Sequence, residues 1–142
     1  MTIQEQNKAL YRQALDEILN KHNFQAVDRY YTDNYIQHNP EVPPGREGFK
    51  KFFVTFFTAF PDMTATIDHL YAEDDKVFAF LTFQGTHQGE FQGIAPTGKQ
   101  VTIKTAEIFR VEDGKFAEHW DTVNASDMEE KLGLLTRRQP TG

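Results

Sequence analysis

The sequence predicts an α+β fold in which N-terminal helices pack on one face of a curved antiparallel sheet. Apolar residues recur at helical spacing up to residue 60, and from residue 63 the pattern changes to the two-residue alternation of strands. Helices followed by consecutive antiparallel strands are typical of this class. The length of 142 residues fits a single domain, so we expect one domain over 1–142, with a core over about 4–135 and a flexible tail over 136–142.

The first helix is predicted by a cap and a regular apolar stripe. Thr2 and Glu5 have the spacing of a capping box, in which each side chain bonds the other's backbone amide. The stripe that follows predicts a helix over residues 3–21; it consists of Leu10, Tyr11, Ala14, Leu15, Ile18 and Leu19. A shorter second helix is expected to carry Phe24, Val27, Tyr30 and Tyr31 on one side.

The third helix is predicted by its phenylalanines. A proline- and glycine-containing break at 41–45 precedes it, and Pro61 ends it. One helical face carries Phe49, Phe52, Phe53, Phe56, Phe57 and Phe60. A helix buries such a stripe against the rest of the core. We expect part of the stripe, Phe53 and Phe57, to contact a ligand as well.

Four strands are predicted after this helix, at 63–71, 76–88, 100–111 and 115–124. They are rich in Val, Ile, Thr and Phe, and a polar turn at 73–75 separates the first two. A glycine- and proline-containing connection at 92–98 precedes the third.

Composition excludes several classes of function. With 21 acidic and 15 basic residues the net charge is −6, and no basic run is interleaved with the aromatic residues, so no nucleic-acid partner is expected. No stretch reaches the roughly 20 apolar residues of a membrane span, and the N-terminus lacks a secretory pattern. We therefore expect a cytoplasmic protein without a membrane partner.

Metal and cysteine chemistry are not predicted. Cysteine is absent, which excludes disulfides and thiolate ligands. The histidines at 38, 87 and 119 are scattered and form no His-Glu-x-x-His motif. His87 lies in a glycine-containing loop, where we expect it to brace the backbone.

The segment 105–124 reads as a β-hairpin with two possible registers. A two-residue loop at 113–114 would pair Glu107 with Trp120, whereas a loop one residue longer would pair Glu107 with His119. A slip of one residue sends every side chain to the opposite face. In the longer-loop register Glu107, His119 and Asp121 share an apolar face. In the shorter-loop register Asp121 and His119 lie on a polar face.

Five segments together resemble the SnoaL-like polyketide cyclase family, also described as predicted ester cyclases, of the nuclear-transport-factor-like superfamily. They are YIQHNP at 35–40, GREGF at 45–49, FPD at 60–62, GTHQGEFQGIAPTGK at 85–99 and EHWD at 118–121. They lie in the family's order and span most of residues 10–135. The resemblance implies the cone-shaped α+β barrel. It favours the three-residue loop of the hairpin. It also implies a homodimer formed through the outer face of the sheet.

The resemblance also implies a reaction. In characterised cyclases of the family, an aspartate on the last long strand is the general base of an intramolecular aldol ring closure, without metal or cofactor, and a histidine on the neighbouring strand assists. Asp121 matches the aspartate, and the position of that histidine falls on Glu107, which is a departure. Glu107 and His119 are expected to tune Asp121 or relay its proton. The contacts expected for a hydrophobic carbonyl substrate are His38, Tyr35 and Trp120.

Other functions remain open at this point. The same pocket could bind a small molecule without chemistry, for example in a stress-associated protein, because a fold does not fix a function. The open face of the sheet could also serve only as a homodimer interface. An acidic side chain inside a deep apolar pocket would favour the enzyme, since a carboxylate that loses hydration becomes a stronger base.

Overall fold

The computed structural model describes residues 1–134, so the tail predicted at 136–142 lies outside them. The α-helices among these residues are α1 (Ile3–Leu15), α2 (Val27–Tyr30), α3 (Gly45–Ala59) and α4 (Ser126–Leu132), and a short 3-10 helix, Phe24–Ala26, precedes α2. The strands are β1 (Tyr31–Gln37), β2 (Thr64–Glu73), β3 (Lys76–Thr86), β4 (Gln100–Glu112) and β5 (Lys115–Asn124). Within residues 1–134, no helix combines the length and the apolar character needed to cross a membrane.

Helix α1 begins at the predicted cap. The Glu5 backbone N–H donates to the Thr2 hydroxyl at 3.1 Å, which is one half of the predicted capping box. The last turn, Asp16–Asn20, is a π-helix, so the helical segment ends one residue before its predicted end. Tyr11, Ala14, Leu15, Ile18 and Leu19 of the predicted stripe are buried.

The α+β class is confirmed, and the sheet is mixed. The strand order is β1-β5-β4-β3-β2, in which β2 to β5 form antiparallel pairs and β1 pairs parallel to β5. The prediction of a wholly antiparallel sheet omitted β1. This strand has no clean two-residue alternation, because the polar residues Thr32, Asp33 and Asn34 follow one another. Tyr31, assigned to the second helix, is its first residue.

The turn between β4 and β5 differs from the expectation. It is a two-residue loop in which Asp113 and Gly114 both have positive φ (51° and 74°), as in a type I′ hairpin turn. The three-residue loop favoured by the resemblance is therefore wrong. The register nevertheless shifts farther along, because Val111 pairs with Phe116 but Arg110 pairs with Glu118.

The residue responsible for this shift is Ala117, which has no partner on β4 and forms a β-bulge. Beyond the bulge Glu107 lies opposite Asp121 and Phe109 opposite His119. Neither predicted register gives these pairs. The bulge has the same effect on orientation as a longer loop, so Glu107, His119 and Asp121 share a face.

Candidate active site

A cavity of about 710 Å³ lies between α1, α3 and the sheet. Five rings of α3 line it, namely Phe49, Phe52, Phe53, Phe56 and Phe57. Phe49 and Phe53 meet edge-on at 4.3 Å between centroids and 84°, whereas Phe52 and Phe56 stack at 5.8 Å and 12°. The size and the apolar walls are those of a small-molecule pocket.

Polar side chains gather at one end of the cavity, where Glu107, His119 and Asp121 line it with Gln37 and Asn39. Glu107 and Asp121 come from opposed positions on β4 and β5, and Gln37 pairs with His119 across the parallel β1–β5 ladder. The exposed fraction of the side chain is 12% for both carboxylates and 4% for His119. The strands therefore place two nearly buried carboxyl groups beside an imidazole.

His119 is the centre of this cluster. Its Nε2 lies 2.9 Å from Glu107 Oε1 and 3.8 Å from Asp121 Oδ2, and its Nδ1 lies 2.8 Å from Gln37 Oε1. The ring also stacks on Phe109, with 4.4 Å between centroids. These contacts fix the orientation of the imidazole between a carboxylate and an amide.

Glu107 has a second partner on α1. The Tyr11 hydroxyl donates to Glu107 Oε2. Burial, and then the charge of Glu107, hold the pKa of Tyr11 well above its usual value. Tyr11 therefore remains a protonated phenol and a hydrogen-bond donor at physiological pH.

Asp121 is held by a single amide. Asn39 Nδ2 donates to Asp121 Oδ2 at 3.1 Å, and the Glu41 backbone N–H donates to Asn39 Oδ1 at 2.8 Å, which fixes the orientation of that amide. No side chain in residues 1–134 donates to Asp121 Oδ1. One carboxylate oxygen is thus anchored and the other is available to a ligand.

The residues predicted to contact substrate divide into two groups. Phe53 and Phe57 line the cavity, whereas Tyr35, His38 and Trp120 do not. The Trp120 side chain lies on the other face of the sheet with Phe78 and Phe80, because it alternates with His119 along β5.

His38 and Tyr35 are occupied by other contacts. The His38 ring stacks on Trp120 at 5.1 Å between centroids, and its Nε2 lies 2.7 Å from Glu118 Oε2. Tyr35 is buried, and its hydroxyl accepts a hydrogen bond from Gln37 Nε2 at 3.0 Å. Tyr35 therefore lies behind the cavity wall, where it contacts the lining residues Gln37, Tyr31 and Phe49.

His87 braces its loop, as predicted. Its Nδ1 accepts from the Thr97 backbone N–H at 3.2 Å, and its backbone bonds Lys99 and Gly98 across the connection between β3 and β4. The described residues contain no group of three or more His, Cys, Asp or Glu side chains arranged to hold a metal ion.

Sequence reasoning missed Gln37, Asn39 and Tyr11 as members of the polar cluster. A signal for the first two was present in the segment YIQHNP, where a two-residue period places Tyr35, Gln37 and Asn39 on one side and His38 on the other. His38 was chosen instead on the resemblance to the family, and its position in this two-residue period was not used. Tyr11 was predicted only as a member of the apolar stripe of α1, with no role in the site.

A family model matches most of this chain. The sequence model described as SnoaL-like polyketide cyclase matches residues 9–132. TsrD from Streptomyces laurentii, whose structure is known, is 29% identical in sequence to this chain. The two structures superpose with a TM-score of 0.83, and the alignment covers 95% of this chain and 100% of TsrD. No curated protein matches the chain.

Two further solved structures carry functional descriptions. IdmH from Streptomyces antibioticus, a candidate polyketide cyclase, is 30% identical over 85% of this chain and 94% of its own, with a TM-score of 0.72. AclR from Streptomyces galilaeus, a candidate hydroxylase, is 29% identical over 96% of this chain and 89% of its own, with a TM-score of 0.83.

Proposed function

This chain belongs to the SnoaL-like polyketide cyclase family, and from that premise we propose that it transfers a proton on a hydrophobic carbonyl substrate, with Asp121 as the base. The reaction is of the cyclase or isomerase type and uses no cofactor. The observation that carries the proposal is the position of Asp121, a nearly buried carboxylate with one anchored oxygen at the polar end of an apolar cavity. Known enzymes use a carboxylate base in an apolar cavity to abstract a proton from a carbon beside a carbonyl group.

The proposed steps balance without an oxidant or reductant. Asp121 takes a proton from a carbon between carbonyl groups, and an enolate forms. In a ring closure the enolate carbon attacks a second carbonyl, a C–C bond forms, and the new alkoxide takes the proton shared by His119 and Glu107. The proton on Asp121 then returns to that pair; His119 Nε2 lies 3.8 Å from Asp121 Oδ2.

The charges of the cavity favour an uncharged substrate. Among residues 1–134, those that line the cavity include Glu41, Glu90, Glu107 and Asp121 but no lysine or arginine. A carboxylate or phosphate on the ligand would find no cation to offset its loss of hydration. Ketones and esters, which carry the acidic C–H without a charge, fit these walls.

Exchange of the acidic C–H with deuterium in heavy water tests the proposal, because it reports proton abstraction even where no ring closes. We expect the protein to accelerate exchange in β-diketones and β-keto esters that bind it, and Asp121→Asn to reduce the rate at least about 100-fold. Asp74→Asn, in the exposed turn between β2 and β3, serves as the matched control. Full activity of Asp121→Asn would refute the assignment, and binding without exchange would favour a non-catalytic binding protein.

We also propose that the outer face of the sheet forms a homodimer. Phe78, Ile108 and Trp120 are direct cross-strand neighbours on β3, β4 and β5, and nearby Phe80 and Tyr71 are 54% and 64% exposed. Contiguous exposed apolar surface of this kind is typical of protein interfaces. Light scattering should give the mass of a dimer, and Phe80→Glu should give a folded monomer. A monomeric wild-type protein would contradict this proposal.

A further inference from the structure

The side-chain amide of Gln37 has only one possible orientation in this structure. The Asn39 backbone N–H, which can only donate, lies 3.0 Å from one amide atom, and that atom must be the oxygen. The amide nitrogen then donates to the Tyr35 hydroxyl at 3.0 Å. Gln37 therefore presents an acceptor, and never a donor, to its third neighbour, His119.

This orientation determines the proton on one nitrogen of His119. Nδ1 lies 2.8 Å from Gln37 Oε1, so Nδ1 must carry a hydrogen. In a neutral imidazole, Nε2 would then be bare and would face Glu107 Oε1 at 2.9 Å. Two acceptors at that distance require one additional proton, placed either on Nε2 or on Glu107.

The other titratable groups around the ring do not supply this proton. The Tyr11 phenol donates to the other oxygen of Glu107. Asp121 Oδ2, at 3.8 Å from Nε2, accepts from Asn39 and has no proton to give in its basic form. The pKa of Tyr35 is raised, first by burial, so its phenol stays protonated as well.

We infer that Gln37 is a positioning residue that keeps a proton on Nδ1 of His119 and thereby loads the His119–Glu107 pair with one transferable proton. Without the amide oxygen, a neutral His119 could place its only proton on Nε2 and satisfy Glu107, and the pair would hold no proton for a substrate oxygen. The catalytic meaning of this arrangement rests on the proposed function, whereas the protonation state itself does not.

Long-range proton–nitrogen correlation spectra test the inference without a substrate. They distinguish protonated from bare ring nitrogens, and the loss of a signal in His119→Asn assigns His119 among the five histidines of the chain. We expect Nδ1 of His119 to be protonated at neutral pH in the wild-type protein. A bare Nδ1 in the wild-type protein would overturn the inference whether or not any variant folds.

Two substitutions of similar size separate the acceptor from the packing of Gln37. Gln37→Met removes the oxygen, and we expect Nδ1 to lose its proton and Nε2 to keep one. Gln37→Glu restores an acceptor toward Nδ1 and Asn39, and we expect Nδ1 to remain protonated. Circular dichroism and thermal unfolding check that both variants are folded. A folded Gln37→Met variant with an unchanged Nδ1 signal would overturn the role of Gln37.

Kinetics with a turned-over carbonyl compound gives the second measurement. Gln37→Met should lower kcat about 10–100-fold with KM changed less than about twofold, since Gln37 acts through His119. Gln37→Glu should recover most of kcat. If the spectra behave as expected while Asp121→Asn keeps full activity, the proposed reaction is wrong and the positioning of His119 by Gln37 stands.

Discussion

Glu107 and Asp121 lie directly opposite each other on β4 and β5, although the two-residue turn between these strands would by itself pair Glu107 with Trp120. The difference arises from one residue, Ala117, which bulges out of the ladder and is buried beside Phe116. A bulge changes the faces of all residues beyond it. The orientation of the acidic pair toward the cavity thus depends on a local irregularity that lies four residues from Asp121 and ten residues from Glu107 along the chain.

Single-residue deletions in β5 should have opposite consequences at this bulge and in the regular ladder beyond it. Deleting Ala117 removes the unpaired residue and should keep Glu107 opposite Asp121, at a cost of about 1–3 kcal/mol in the free energy of unfolding. Deleting Trp120, within the regular ladder, should move Asp121 opposite Ile108 on the outer face. Cross-strand nuclear Overhauser effects between backbone protons of Glu107 and Asp121 measure the pairing.

The comparison is matched, because each variant loses one residue from the same strand. The contact between Glu107 and Asp121 should persist in the first deletion and disappear in the second. If this contact were lost on deletion of Ala117, the pairing of Glu107 with Asp121 would depend on the bulge itself and not only on the number of residues in β5. Deuterium exchange activity should likewise be retained on deletion of Ala117 and lost on deletion of Trp120.

Alkaline stability should depend on three buried phenols. Burial is the largest cause of the raised pKa of Tyr11, Tyr31 and Tyr35, and the charge of Glu107 contributes to each. Above about pH 10 the unfolded chain loses phenol protons that the folded chain retains, so folding stability should fall as pH rises. The linkage relation gives a slope of up to about 1.4 kcal/mol per pH unit for each phenol.

Tyr31→Phe isolates one of these phenols, because the Tyr31 hydroxyl makes no hydrogen bond within residues 1–134. Urea denaturation should give similar stabilities for wild type and variant near pH 8 and a shallower alkaline decline for the variant. Tyr71→Phe is the control, since Tyr71 is 64% exposed and its removal should leave the slope unchanged. Equal slopes for wild type and Tyr31→Phe would contradict the assignment.

The parts of the fold predicted from sequence are those with a long, regular period. Helix α3 and the strands β2 to β5 follow directly from their apolar patterns, because each buries one continuous face. Strand β1 was missed because its burial depends on its pairing with β5, and the residues of β5 are far from β1 in the sequence. No local pattern encodes such a parallel partner.

The candidate site was predicted only in part for the same reason. Asp121, Glu107 and His119 could be named from their chemistry, but the bulge at Ala117 leaves no sequence signal, since an alanine fits either a ladder or a bulge. Gln37 enters the site through the β1–β5 pairing, so its contact with His119 could not be anticipated before that strand was known.

Acid stability should depend on Glu118, on the outer face of the sheet. The hydrogen bond from His38 is the largest cause of the lowered pKa of Glu118, and Arg110 adds to it. A lowered folded-state pKa stabilises the protein above the ordinary glutamate pKa of about 4.3 and ceases to do so as pH falls through the folded value. Glu118→Gln should therefore cost about 1–2 kcal/mol at pH 7 and little at about pH 2–3.

Glu112→Gln provides the control for this prediction. Glu112 also approaches Arg110, but at 3.7 Å and with 55% of its side chain exposed, and exposed pairs contribute little. Denaturation curves at both pH values should show a difference for Glu118→Gln only. A constant loss of stability at both pH values would assign the effect to packing and not to the charge of Glu118.

Gly89 should be needed to hold the loop that closes one side of the cavity. A Cβ at this position would lie 2.4 Å from the Thr58 backbone oxygen, and the backbone N–H groups of Gln88 and Gly89 both donate to the Ala59 carbonyl at 3.0 Å. Gly89→Ala should push the loop away from the end of α3, break these bonds, and cost about 1–3 kcal/mol. Phe91, which lines the cavity, should then lose its packing on Phe56.

The matched control is Gly93→Ala in the same loop. Gly93 has φ of +82° with nothing within 4 Å of an added Cβ, so alanine there should cost about 1 kcal/mol of backbone strain without displacing the loop. Amide hydrogen exchange at Gln88 distinguishes the two variants, because the bond to Ala59 protects that amide. We expect exchange to accelerate at least about tenfold in Gly89→Ala, which corresponds to a loss of about 1.4 kcal/mol of local stability. Unchanged protection of Gln88 in Gly89→Ala, or equal acceleration in both variants, would show that the close approach to Thr58 does not anchor this wall of the cavity.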